Sequence, residues 1–510
     1  MEAAEECPGE YIFTPLRAWK NCGDKKPPPS RAISRNVVRP PGLTHTPGRN
    51  AHPRAPPCSG LPDHRTYPCP MVARPHFRSD DRELFRLAIP ALGALVAEPL
   101  YVLTDTAVVG HLGTAPLAGL GVASGFLMFG YGLCVFLAYG TTATVARLSG
   151  AGEHRWAADQ AVQGLWLALV LGVVLAAAGI ALADRIVTLV GAEGDVAHQA
   201  GIYLRISLLG APAMLIMLAG VGYLRGLKDT MRPLQVAVGT AVLNLVVELV
   251  LIVGLGYGIG ASAAATVVAQ WLGAACYLAW VGRAVRRNHA SLVPRARSIR
   301  RLLVVSSRLL VRNLSLTGTF LVGTSVAARI GRVDVAAHQI AFQVWMASAL
   351  IMDAVAIAAQ AMIGNLLGAG EVSGTRRLGR RVIGWSVATG ALIGLILLVT
   401  RGLVAGAFSG DPNVVGLAGF LLLHVALMAP LGGVAFALDG ILIGAGDERF
   451  MARAMATSAV LAVAAMVSGR LAGLGIGWLW AAIWLFMAAR SILFIRRFAG
   501  HRWQVVGAER

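Results

Sequence analysis

Apolar runs of roughly 20 residues recur along the chain from Leu84 almost to its end. A helix of that length crosses the hydrocarbon core of a bilayer, which is about 30 Å thick. The sequence therefore predicts an all-α polytopic membrane protein with twelve transmembrane helices. The approximate spans are 84–109, 116–147, 159–183, 200–225, 233–255, 259–282, 303–329, 335–367, 380–401, 412–444, 451–470 and 474–496.

The charged residues are few and lie mostly between these runs. Only 14% of the residues are charged and 56% are hydrophobic, which is typical of a chain solvated by lipid. The net charge of +19 is spread over short loops and accompanies no nucleic-acid motif, so we expect no nucleic-acid partner.

The two halves of the chain are repeats of each other. Matching residues differ by 218 in residue number (368 minus 150), and we call this difference the repeat offset. Six spans per copy is an even number, so both copies enter the membrane from the same side. We predict two pseudo-symmetric lobes, an N-lobe over 76–290 and a C-lobe over 291–500. The matches are Gly150-Ala151-Gly152-Glu153 with Gly368-Ala369-Gly370-Glu371, Ala211-Pro212 with Ala429-Pro430, and Gly226 and Asp229 with Gly444 and Asp447.

The distribution of Arg and Lys between loops predicts the orientation. Eighteen of them lie in loops on one side of the predicted helices and five on the other. Basic loops stay in the cytoplasm, so both termini, including a tail at 501–510, should be cytoplasmic. The expected location is the plasma (inner) membrane.

The segment 1–75 differs from the rest, because it holds 15 of the 23 prolines and no apolar run long enough to span. We expect a disordered Pro-rich tail. Met71 opens a segment that resembles a lead-in to the first span, so a start codon there is a further hypothesis.

ATP is excluded as a direct energy source, because none of the four lysines is followed by Ser or Thr as a phosphate-binding loop requires. No cysteine pair or Cys/His group has the spacing of a metal site. We therefore expect no enzyme activity, no cofactor and no metal. An ion gradient should drive the protein.

The carboxylates well inside the predicted spans are Glu98, Asp105, Glu248, Asp353 and Asp439. A charge at the centre of a membrane helix costs about 2.5–3.5 kcal/mol, so each acid needs a partner or a proton. Burial favours the protonated form of a carboxyl group, which can then carry a proton. The alternative is a purely structural acid that is hydrogen-bonded to a backbone carbonyl.

Glu248 has polar neighbours that a lone structural acid would lack. Asn244 lies one helical turn before it on the same face, Thr266 on the next helix can face both, and Asp105 can complete the cluster. We predict that these four residues bind a proton or a small cation. The second copy lacks the set, since the positions at the repeat offset are Gly323, Ala462, Met466 and Trp484.

Two prolines interrupt the hydrogen-bonding pattern of the helix that carries Asp105. Pro90 removes a backbone donor within the first span, and Pro99 does so again. Pro90 is a candidate bend that links protonation of Asp105 to the shape of the helix. A static kink that neighbouring helices fill is the alternative.

Several spaced motifs resemble the multidrug and toxic compound extrusion (MATE) family over 84–497. They are Leu103-Thr104-Asp105-Thr106 before Gly110-His111-Leu112-Gly113, Arg225 to Thr230 followed by Pro233, and Asn244-x-x-x-Glu248 with the later Ala265-Thr266. Asp353 and Asp439 resemble positions in the DNA-damage-inducible F (DinF-like) branch. The family more often has Asp where this chain has Glu248, which leaves both H⁺ and Na⁺ open as the coupled ion.

The resemblance implies alternating access of two lobes and export of small amphipathic or cationic substrates in exchange for H⁺ or Na⁺. We expect a monomer in the lipid bilayer. The rival reading is a lipid-linked sugar flippase of the same wider superfamily, for which Arg308 and Arg312 are the candidate phosphate ligands. We expect these two arginines at the cytoplasmic membrane interface instead.

Overall fold

A computed structural model describes residues 77–508, with side chains from Ser79 onward. The Pro-rich tail and the proposed start at Met71 lie outside them. The helices are α1 (Phe77–Gly110), α2 (Thr114–Cys134), α3 (Phe136–Gly150), α4 (His154–Leu189), α5 (Gly194–Leu208), α6 (Ala211–Gly226), α7 (Met231–Glu248), a π-helical segment (Leu249–Gly254), α8 (Ile259–Asn288), α9 (Ala296–Ile330), α10 (Arg332–Gly368), α11 (Val372–Phe408), α12 (Pro412–Gly444), α13 (Glu448–Leu471) and α14 (Ile476–Ala499).

These elements confirm the prediction of twelve membrane helices. Eleven helices within residues 77–508 are long and apolar enough to span, when α2 with α3 and α7 with the π segment are each counted as one. The bent pair α5 and α6 brings the number to twelve. Helices satisfy every backbone hydrogen bond internally, which hydrocarbon demands of a spanning segment.

The helices of the first half are more irregular than their counterparts in the second. The α5–α6 pair bends by 49° just before Pro212, whereas α12 runs continuously through the matching Pro430. In addition, α7 ends at Glu248 and widens into the π segment, while α13 has no such segment. π-helical turns are rare in proteins, and those that occur are often found at functional sites.

The repeated Gly-Ala-Gly-Glu motif brings the two halves together on the side of the arginine-rich loops. A Cβ atom at Gly150 would overlap the backbone of Asn365, and one at Gly368 would overlap the backbone of Arg147. The ends of α3 and α10 therefore meet backbone to backbone. Only glycine permits this approach, and it closes the molecule on that side.

The last residues cross the same closed face. The indole of Trp503 is fully buried and stacks on Phe498 with ring centroids 5.1 Å apart. The amide of Gly507 donates to the carbonyl of Leu367 at 3.0 Å, and Arg147 of the N-lobe donates to the carbonyl of Val505. The segment 501–508 thus contacts both halves.

Candidate functional site

The polar cluster of the N-lobe centres on the carboxyl group of Asp105, which α1 carries into the interior at 4% exposure. Its Oδ1 accepts a hydrogen bond from the hydroxyl of Ser262 on α8 at 2.5 Å. Its Oδ2 accepts one from the hydroxyl of Tyr203 on α5 at 3.1 Å. Two donors from two other helices therefore hold both oxygens of this carboxyl group in place.

Glu248 is the second acid of the cluster and is completely buried at the end of α7. Its carboxyl group lies close to the carboxyl group of Asp105 and to the hydroxyl of Ser262. Asn244, one turn earlier, places its Nδ2 3.5 Å from Oε2 of Glu248, which is a long and weak hydrogen bond. The two acids are therefore neighbours, and Ser262 donates its hydroxyl hydrogen bond to Asp105.

The acid pair has no basic partner among the residues that the structure describes. Within residues 77–508 no Arg, Lys or His forms an ion pair with Asp105 or Glu248. Oε1 of Glu248 and Oδ1 of Asn244 are buried and find no hydrogen-bond partner among the described residues. Both oxygens are therefore acceptors to which no described group donates.

The chemistry of this arrangement follows from its charge. Two carboxylates in contact in a buried site cannot both stay ionised without compensation. A proton shared by Asp105 and Glu248 would provide it, and so would one small cation held by carboxylate, amide and hydroxyl oxygens. No group of three or more His, Cys, Asp or Glu side chains with metal-binding geometry occurs in the described part of the chain.

Thr266 lies beside the cluster, and its hydrogen bonds within the described part of the chain go to groups other than the two acids. Its hydroxyl donates to the carbonyl of Ser262 at 3.2 Å, and its Oγ1 lies 2.5 Å from the hydroxyl of Tyr101. Thr266 therefore contacts Ser262 and Tyr101, which surround the acids, and makes no hydrogen bond to Asp105 or Glu248 among the described residues.

The C-lobe contains a different polar cluster, which is organised around Asp439 on α12. Oδ2 of Asp439 accepts from Arg312 on α9 at 2.6 Å and from Arg490 on α14 at 2.7 Å. The exposures are 2%, 5% and 1% for the acid and the two arginines. The expectation that Arg312 lies at the membrane interface is wrong, because the intramembrane acid binds it in the interior.

Asp353 lies next to this ion-paired cluster, at the boundary between the halves. Its Oδ2 accepts from the hydroxyl of Tyr139 of the N-lobe at 3.3 Å. Nε2 of Gln360 donates to the backbone carbonyl of the same tyrosine at 2.7 Å. Asp353, Tyr139, Arg312 and Asp439 line a narrow cavity of about 10 Å³.

The remaining predicted acid, Glu98, does not join either cluster. Its side chain is exposed and makes no hydrogen bond to the described residues. The helix that carries it, α1, is one continuous element through Pro90 and Pro99. The proposed bend at Pro90 stays a prediction.

The structure therefore brings three of the four predicted coupling residues into one cluster, with Thr266 behind them. Sequence reasoning missed Ser262, Tyr203 and Tyr101. Two of these carried a readable signal, because Ser262 lies one helical turn before Thr266 and Tyr101 one turn before Asp105. Tyr203, which comes from a third helix, had none.

Comparison with known families and proteins agrees with the duplication. The MatE family profile matches residues 90–250 and again residues 309–467. The starts of the two matches differ by 219 in residue number (309 minus 90), and their ends differ by 217 (467 minus 250). These values bracket the repeat offset that the sequence motifs give.

Among curated proteins, the chain is similar to DETOXIFICATION 44, chloroplastic, of Arabidopsis thaliana, with 31% identity and 94% of each chain covered. It is also similar to the DNA damage-inducible protein F of Escherichia coli K12, with 29% identity over 83% of this chain and 93% of the relative. A probable multidrug resistance protein NorM of Xanthomonas campestris is 28% identical over 74% of this chain and 84% of its own.

Among solved structures, similarity extends over most of the fold. A MOP superfamily transporter from Pyrococcus furiosus superimposes with a TM-score of 0.74 at 23% identity, covering 82% of this chain and 96% of that one. A mutant of the Vibrio cholerae MATE transporter VcmN gives 0.75 at 22% identity, covering 84% and 99%. These likenesses describe the fold.

Proposed function

Since this chain belongs to the MatE family of membrane transporters, we propose that it is a cation-coupled antiporter that exports small amphipathic or cationic compounds by alternating access. The acid pair of the N-lobe carries the proposal. Asp105 and Glu248 face each other in the interior without a basic partner among the described residues, so their occupancy must change with the supply of protons or sodium ions.

The ion gradient supplies enough free energy for the proposed exchange. One positive charge that moves inward gains about 2.3 kcal/mol per 100 mV, and one pH unit adds about 1.4 kcal/mol. One ion per cycle therefore sustains a gradient of roughly a few hundredfold for an uncharged substrate, and a smaller one for a cation, whose outward movement cancels the electrical contribution. No cofactor is needed.

The coupling step that we propose joins ion binding to the shape of the N-lobe. An ion or proton on the acid pair removes the repulsion between Asp105 and Glu248, which lie on α1 and α7. These helices can then close together and favour the state that releases substrate outside. The closed arginine-rich face, where Gly150 and Gly368 approach the opposite half, fits such a state.

The test is transport of a fluorescent organic cation in vesicles that contain the full-length protein. A pH gradient or a sodium gradient is imposed separately, with potassium as the control cation. We expect uptake that one of the two gradients drives and that an ionophore for that ion abolishes. Gradient-independent movement of the cation would contradict the antiporter.

The flippase alternative has less support. It requires a free cationic site for a diphosphate, and Arg312, one of its two candidates, is bound to Asp439 at 2.6 Å together with Arg490. The same vesicles test it, because a flippase would move a fluorescent lipid without an ion gradient.

The remaining parts of the proposal concern placement in the cell. We propose a monomer in the plasma (inner) membrane, with both termini in the cytoplasm and lobes at 76–290 and 291–500. The name of the Arabidopsis relative says that protein is chloroplastic. Labelling of single cysteines placed in the arginine-rich loops, in intact cells against opened cells, tests the orientation, and cell fractionation tests the membrane.

A further inference from the structure

An open pocket of about 590 Å³ lies on the arginine-rich face, away from both buried clusters. The first turns of α11 form one wall. The segment 501–508, which we call the end segment, forms the other wall with His501 and Gln504. Four arginines line it: Arg376, Arg377, Arg380 and Arg381. No carboxylate is among its lining residues.

Two of the four arginines are already engaged. Arg376 donates to carbonyls at the end of α14, the shortest contact being 2.5 Å to the carbonyl of Gly500. Arg381 pairs with Asp81 of α1. Arg377 and Arg380 are exposed and form no ion pair or hydrogen bond with the described residues. The pocket therefore offers two free guanidinium groups on one helical surface.

The duplication provides an internal comparison for this pocket. At the repeat offset, Arg377 corresponds to Asp159 and Arg381 to Gln163 at the start of α4. There the carboxylate of Asp159 accepts from Arg295 at 3.2 Å, and Gln163 accepts from the backbone amide of the same arginine at 2.7 Å. The N-lobe copy is neutral and covered by the chain that follows α8.

The counterparts of the other two arginines, Arg376 and Arg380, are Ala158 and Val162, both buried and apolar. The general excess of basic residues in cytoplasmic loops does not explain why four arginines line a single pocket. The C-lobe copy has thus gained positive charge at the place where the N-lobe copy is closed.

The position of the pocket along the membrane normal indicates which kind of molecule supplies its ligand. Trp385 lies one turn beyond Arg381 on α11 and is 39% exposed, and its indole donates to Asp81 at 2.9 Å. The residues from 386 to 400 that follow carry no charge. Exposed tryptophans mark the boundary between headgroups and hydrocarbon, so the arginines lie at the level of the lipid phosphates.

We propose that this pocket binds the phosphate group of an anionic phospholipid headgroup. Guanidinium groups bind phosphate oxygens through paired N–H donors, and an anionic leaflet attracts arginines that lie near its surface. The end segment forms one wall, so the bound headgroup contacts α11 and this segment together. The site is separate from the acid pair and does not depend on the transport proposal.

The experiment titrates the full-length protein in mixed micelles with phosphatidylglycerol and counts bound lipids by native mass spectrometry. Phosphatidylcholine is the neutral control, and inorganic phosphate is a separate arm. The test variant is Arg377→Gln/Arg380→Gln. The matched control is Arg283→Gln/Arg286→Gln, which removes the same charge from exposed residues at the end of α8. Tryptophan fluorescence and elution volume check that each variant is folded.

We expect the wild type and the α8 control to retain one phosphatidylglycerol, and the α11 variant to bind it on the order of tenfold more weakly. Phosphatidylcholine should not be retained. Equal loss in the α8 control would mean general surface attraction and would overturn the site. Unchanged binding by the α11 variant would overturn it too. Displacement of the lipid by millimolar inorganic phosphate would assign the pocket to a soluble phosphate compound and overturn the lipid assignment.

Discussion

The two lobes share a scaffold and differ in where they bury charge. The N-lobe buries two acids, Asp105 and Glu248, without a base among the described residues, while the C-lobe buries Asp439 between Arg312 and Arg490. An acid pair without a built-in counter-charge is suited to taking up a proton or a cation, as we propose. An acid that binds two arginines has its partners built in, so the first cluster suits coupling and the second suits structure.

Each cluster occupies positions that are apolar in the other lobe. Where the N-lobe has Ser262 and Glu248, the C-lobe has the buried side chains of Trp480 and Met466. Where the C-lobe has Arg312, Asp353, Asp439 and Arg490, the N-lobe has Ala94, Val135, Val221 and Leu272. The duplicated halves have therefore specialised at different places.

The largest expected effect is the loss of the fold on substitution of Asp439. Asp439→Asn leaves Arg312 and Arg490 buried without a counter-charge, which should cost about 3–5 kcal/mol of stability. Thermal unfolding in detergent measures it. Replacing all three residues together by Leu and Met should restore much of the stability. If the single variant is as stable as the wild type, the arginines do not depend on this acid.

The next largest effect should be the loss of coupling on substitution of Asp105. Asp105→Asn keeps the shape of the side chain and removes the charge, so gradient-driven efflux should fall to the level of empty vesicles. Thermal stability should stay within about 1 kcal/mol of the wild type, because relief of the carboxyl contact offsets a weakened hydrogen bond. Efflux that persists with this variant would rule out the N-lobe pair as the coupling site.

A partial effect is expected for Glu248. Glu248→Gln leaves one carboxyl group, which can still bind a proton but compensates a sodium ion less well. If sodium is the coupled ion, transport should therefore fall by roughly tenfold for one lost charge contact, and if the proton is the coupled ion, it should fall less. Vesicle assays with the gradient that drives the wild type measure the loss. Glu98→Gln is the control, since Glu98 lies outside the cluster.

The smallest effect should come from the hydroxyl of Tyr203. Tyr203→Phe removes one hydrogen bond to Asp105, worth about 1 kcal/mol, and should change the apparent ion affinity roughly fivefold. The ion concentration at half-maximal transport measures it. Tyr257→Phe is the matched control, because Tyr257 is 57% exposed. Equal shifts in both variants would show that Asp105 does not depend on the hydroxyl of Tyr203.

The sequence by itself determined the twelve helices and the duplication. A helix that spans lipid must be an apolar run of fixed length with its backbone hydrogen bonds made internally. Each run is a continuous segment, so it can be recognised from the sequence alone. The repeat offset also identified the coupling candidates, since Asp105, Asn244 and Glu248 have no counterparts in the second copy. The proximity of Asn244 and Glu248 could be predicted from the sequence because one helical turn separates them.

Only the tertiary structure decided which acids have partners. The sequence predicted Asp105 as a coupling acid and placed Asp439 and Glu98 inside spans without partners. In the structure the first lies near a second acid, the second binds two arginines and the third binds neither. Tyr203 and Arg490 reach their acids from helices that are distant in the chain. A buried charge is stabilised by groups within a few ångströms in space, and the packing of the helices determines which groups those are.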